Sequence, residues 1–211
     1  MTQLERKETT ETFLRSRGVS INPHLPFTES SEELAVATPQ QVARRICVLS
    51  GLIARACGAP HEVVLRFFES ERLFEHASHD EAAVVQAVSL SREQVARLQC
   101  QVEGLWELAW VLCLIPSVDH FKQCGNELVT LVPKPGVPVD GFVERAQLRP
   151  TAELLSESDL LYRLHWAFRE ASLRRQRVPT GLPDYVTEER LRAVNWVLFS
   201  NVSWEDTDTS T

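Results

Sequence analysis

No uninterrupted apolar run in this chain is longer than eight residues, Leu108 to Ile115. A bilayer-crossing helix needs about 20, so no membrane span is expected. The first eleven residues are charged throughout and lack the apolar core of a secretory signal, which points to the cytoplasm. Glycine is scarce, eight in 211 residues, with no Gly-rich fingerprint and no P-loop, so a backbone cradle for phosphate is not expected. The five cysteines, Cys47, Cys57, Cys100, Cys113 and Cys124, contain no C-x-x-C pair and leave one over. That excludes a zinc ribbon and a disulfide framework and leaves reduced, mostly buried thiols, with Cys47, Cys57 and Cys113 expected to pack in the core. No basic block exists either. The net charge of −7 comes from 29 acids and 22 bases spread along the chain, which does not suit phosphate backbones, so nucleic acid is not an expected partner. H-E-x-x-H and G-x-S-x-G are missing, and no cofactor, metal ligand or catalytic residue is assigned.

What is present is an ordinary globular balance, 44% apolar and 24% charged, in a length that suits one compact domain over residues 1–211. Thr38-Pro39-Gln40-Gln41 carries a capping hydroxyl, a proline at the first helical position and a glutamine able to reach back. Val42, Ile46, Leu49 and Ile53 follow at helical steps until Cys57-Gly58, a left-handed terminator. Pro60 opens a second helix with Val63, Val64, Phe67 and Phe68. Ser91-Arg92-Glu93-Gln94 is another capping box, and Val95, Leu98, Val102, Leu105, Ala109 and Leu112 predict one long helix ending before Pro116, with Trp106 and Trp110 on its flank.

Prolines 133, 135 and 138 and glycines 136 and 141 then break the pattern, giving an irregular segment over residues 125–150. Within it, Leu128 to Val132 reads equally as a short strand or a helical turn. A long helix follows from Thr151 to about Gln176, then a stiff turn from Pro179 to Pro183 and a last helix from about Thr187. Residues 204–211 form an acidic, hydroxyl-rich tail that Trp204 is placed to pin. Asp206 and Asp208 are too few to make a calcium loop. The fold class predicted is all-α, a bundle-like array of helices.

The densest chemistry lies in the last two helices, with Tyr162, Arg163, His165 and Trp166 on one and Glu189, Arg190, Asn195 and Trp196 on the other. Helical spacing turns His165 and Asn195 inward. Two readings stand side by side. In one, the pair satisfy each other or a kinked backbone and fix the helix register; in the other, the eight form a binding cluster in which Arg163, Glu189, Arg190 and Asn195 surround a cleft where His165 serves as base or ligand. Either way, Arg163 or Arg190 is expected at the rim. Asp159 and Arg163, an i,i+4 pair with the acid first, read as a solvated surface couple.

Leu161-Tyr162-Arg163-Leu164-His165-Trp166-Ala167, Glu189-Arg190, Ala193-Val194-Asn195-Trp196, Trp204 and Thr207-Asp208-Thr209 occur in an order that resembles a mainly bacterial family, domain of unknown function 4272. Arg6-Lys7, Leu25-Pro26, Glu103-Gly104-Leu105-Trp106, Ala109-Trp110 and Leu148-Arg149 extend the likeness along nearly the whole chain. The resemblance implies an all-helical cytoplasmic domain and carries no activity, so no catalytic residue transfers. The expectation is therefore a binding or interaction module for a small ligand or a protein partner, with a small hydrolase or small-molecule-binding enzyme using His165, Glu189, Arg190 and Asn195 as the rival.

Overall fold

The computed structural model describes residues 1–176 and 181–211. Among them the chain is helical, in chain order α1 (Gln3–Ser16), α2 (Pro39–Ala56), α3 (His61–Ser70), α4 (His79–Gln86), α5 (Arg92–Cys100), α6 (Val102–Val111), α7 (Leu128–Leu131), α8 (Asp140–Glu144), α9 (Thr151–Leu173) and α10 (Asp184–Leu198). The extended pairing among these residues is a single parallel bridge, Ala35 to Phe199. No described helix is long and apolar enough to cross a membrane.

The chain falls into two compact units. One comprises residues 1–37, 119–123 and 149–211, and the other residues 38–118 and 124–148. In the second unit, α2 is the central element. Thr38 accepts from the Gln41 amide through Oγ1 while Gln41 accepts from the Thr38 amide. Gly58, at φ +95°, ends the helix region. Val42, Ile46, Leu49 and Leu52 are fully enclosed. Gly51 is there for space, since a Cβ would lie 2.5 Å from Cε2 of the buried Phe68 ring. Arg45 lies on the same buried helix, and both of its terminal nitrogens donate to Glu81 of α4. Glu81 also closes the capping box of α4 with Ser78.

Several sequence expectations change here. The predicted helix from Arg92 to Leu112 is interrupted at Gln101 into α5 and α6. Leu128 to Leu131 is helical, and α8 also interrupts the irregular segment. α10 begins three residues before Thr187. Cys47 is buried, and desolvation pushes its thiol up to about 12. Cys57 and Cys113 are exposed instead, because both fall where helices end, Cys57 as the cap of α2 and Cys113 at φ +60° beyond α6. Pro179 and Thr180 of the expected turn, with Arg177, lie outside the described residues.

The first unit is built on α9 packed with α1 and α10. Leu14, Val19, Leu164, Ala167 and Phe168 form an apolar cluster, with Trp166 packed against it. Beyond α10, the amides of Ala35 and Ala37 donate to the carbonyls of Leu198 and Val197. A helix end leaves such carbonyls without intrahelical partners, so this segment caps α10 from far away in sequence.

Candidate functional site

Arg163 is the hub of a buried charged network. Only 2% exposed, it donates from Nε and Nη2 to the two carboxylate oxygens of Asp159 at 3.1 and 2.9 Å. Its Nη1 stands 3.8 Å from Glu11 of α1. The Thr28 hydroxyl donates to Asp159 at 3.1 Å and accepts from Arg6. The expected surface couple is thus an interior one, because α1 and the segment around Thr28 cover it. Two arginines from behind hold the backbone of that segment: Arg163 donates to the Pro26 carbonyl and Arg6 to those of Thr28 and Glu29.

His165 and Asn195 are on different partners. His165, 3% exposed, pairs Nδ1 with Thr187 Oγ1 at 3.1 Å, and the same hydroxyl donates to the Asp184 carbonyl. Burial, with Arg169 and Arg192 nearby, lowers its pKa to about 4, against a smaller opposing effect of Asp184. His165 is therefore neutral at pH 7. The linkage is specific in sign. Below about pH 6.5 the unfolded histidine takes up a proton that the folded one refuses, so stability falls between pH 6.5 and about 4 and then levels. At about 1.4 kcal/mol per pKa unit, the loss is on the order of 3 kcal/mol. Urea unfolding of wild type and His165→Gln across that range should show the variant with the flatter profile; parallel profiles would contradict the buried neutral state.

Arg190 is likewise buried, at 1% exposure, and donates to the carbonyls of Asp119 and Lys122 at 3.0 and 2.8 Å. Neither expected rim arginine is at a rim, because each has backbone carbonyls to hold inside the unit. The loop held by Arg190 presents His120, whose Nε2 meets Glu157 of α9. That couple was missed because nothing in the local pattern around His120 links it to a residue 37 positions later. Glu189 faces Arg192 at 3.8 Å. Trp196 stacks edge-on against Trp204, with centroids 5.8 Å apart, while Trp166 packs on the Leu14 and Leu164 cluster. The eight expected residues are spread over several environments.

Two of them, Tyr162 and Asn195, do share a cleft, of about 400 Å³ and wholly within the first unit. Its walls come from Pro26 to Glu29, from Ser158 and Tyr162 one turn apart on α9, from Asn195 and Phe199 at the end of α10, and from the tail at Asp206 to Asp208. The buried Ser158 hydroxyl donates to Asn195 Oδ1 at 2.9 Å, and Asn195 Nδ2 donates to the Asp208 carbonyl at 3.0 Å. Asn195 is half-buried rather than enclosed. Trp204 and Thr207 are buried, so the tail is docked. The i,i+4 pairs Ser158 with Tyr162 and Asn195 with Phe199 were a usable sequence signal for this wall. Segment 26–29 had none.

Fold and cleft together define an all-helical protein with a walled cavity, and no group of three or more His, Cys, Asp or Glu able to hold a metal ion occurs among the described residues. The chain belongs to the family described as Domain of unknown function (DUF4272), whose model matches residues 6–207. No curated protein and no solved structure matches it.

Proposed function

We propose that this protein is a binding module without chemistry of its own, and that it takes a small ligand in the cleft between Tyr162, Asn195 and the tail. The observation that carries the reading is the cleft itself, about 400 Å³ and walled by three aromatic rings set among polar and acidic groups, within the usual size range of small-ligand sites. Its walls are braced from behind by Arg6 and Arg163, the kind of rigid support that binding sites use. The rival hydrolase has less support, since His165 is held by Thr187 and Arg190 by backbone carbonyls, neither of them a wall of the cleft. We also place the protein in the cytoplasm, where five free cysteines remain reduced.

Screening a fragment library of mixed charge by protein-observed NMR tests this. Shifts clustered on Tyr162, Asn195 and Phe199, retained in folded His165→Ala, are expected. If no fragment perturbs these residues, or if binding disappears in a folded His165→Ala, the reading is wrong.

A further inference from the structure

We infer that the ligand of this cleft is a compact organic cation, an alkylammonium or quaternary ammonium group seated among Phe27, Tyr162 and Phe199 and facing the carboxylates of Glu29, Asp206 and Asp208. The inference rests on the cleft being a binding site, as proposed above, and names the chemistry it selects.

Three features of the cleft agree. First, its described lining residues include three carboxylates and no lysine or arginine, so an anion entering it meets repulsion with no compensating base. The cations close behind are already engaged: Arg163 by Asp159 and Glu11, Arg6 by the Thr28 and Glu29 carbonyls, and Lys7 by the Pro23 and Leu25 carbonyls. Second, three aromatic side chains stand in the same walls, and ring faces attract cations, quaternary ammonium above all. Two of these rings already attract cations within the fold, with Lys7 Nζ 5.4 Å from the centroid of Phe27 and Arg163 Cζ 5.9 Å from that of Tyr162. Third, the inner polar groups are tied up in one chain: Ser158 donates to Asn195 Oδ1, and Asn195 Nδ2 donates to the Asp208 carbonyl. The Ser158 hydroxyl and one Asn195 N–H are therefore committed, which leaves more of the recognition to rings and carboxylates. Burial raises the Tyr162 hydroxyl; Arg163 opposes this, and Glu29, Asp159 and Asp208 add smaller pushes upward. Asp208 itself stays ionised to low pH, because the Ser210 amide and hydroxyl hydrogen-bond to its carboxylate.

The test is a matched pair of probes, choline and its neutral isostere 3,3-dimethylbutan-1-ol, titrated into the full chain with NMR shifts read at Tyr162 and Phe199. Choline should bind at least tenfold more tightly than the isostere. Its affinity should fall at least tenfold in Glu29→Gln/Asp208→Asn, and it should weaken as salt rises. Equal binding of both probes, or full affinity in the folded double variant, overturns the cationic class while leaving a binding cleft. Binding of anionic fragments at the cleft with no choline binding does the same. If no probe or fragment of any charge reaches the cleft, the binding module falls with it.

Discussion

Replacing Arg163 by methionine is expected to cost about 3–5 kcal/mol, the range for removing one partner of a buried ion pair. The methionine fills much of the volume but leaves Asp159, fully enclosed, with the Thr28 hydroxyl as its remaining donor among the contacts described above. It also takes one cation away from Glu11, which keeps Arg15 and Lys7, and releases the Pro26 carbonyl. Urea unfolding followed by far-UV circular dichroism measures the loss. Adding Asp159→Leu should recover a large part of it, because the enclosed carboxylate left without its guanidinium is then gone. A loss under about 1 kcal/mol for Arg163→Met, or a double variant weaker than the single one, would show that the network does not hold the first unit.

A comparable loss, again about 3–5 kcal/mol, is expected in the other unit from Glu81→Ala. Arg45 and Glu81 are both nearly sealed from solvent, so the alanine leaves a guanidinium in the core without its carboxylate. The same change opens the capping box at the start of α4, where Glu81 accepts from the Ser78 amide. Glu81→Gln keeps an acceptor for that amide and should cost less. Hydrogen exchange at the α2 and α4 amides separates the two causes: Gln should accelerate exchange mainly around Arg45, Ala in both helices. Equal effects of Gln and Ala would mean that charge alone matters.

Helices announced by apolar stripes were readable from the residues. Thr38 with Gln41 and Ser91 with Gln94 close real capping boxes, and Pro60 and Thr151 mark real helix starts. α1 was invisible for a physical reason. Its buried positions are Arg6, Thr10, Glu11 and Leu14, a stripe at helical spacing in which most members are polar, so hydrophobic periodicity reads it as solvated. Its capping box, Thr2 with Glu5, was the available signal. The same blindness placed Asp159 and Arg163 on the surface. Pattern rules assume that charge faces water, and here charges face each other across segments remote in sequence. For the site, helical spacing correctly turned His165 inward but paired it with Asn195, where the partner is Thr187. Which residue of α10 meets His165 depends on how α9 and α10 rotate against each other.

Capping the end of α10 with residues 35–37 has a consequence for the order in which the chain assembles. The Ser200 hydroxyl reaches the Ala35 carbonyl across 165 residues, and Thr28 meets Asp159 across 131. Closing such spans costs chain entropy before any contact repays it, and contacts distant in sequence slow folding. The α2 to α6 stretch, by contrast, is held by neighbours such as Arg45 and Glu81, 36 residues apart. A growing polypeptide therefore has the partners for α2 through α6 long before those for α1 exist. During that interval Arg6 and Glu11 remain hydrated, and their polarity protects: a first helix with an oily face would spend the wait seeking wrong partners, whereas this one stays soluble until α9 arrives.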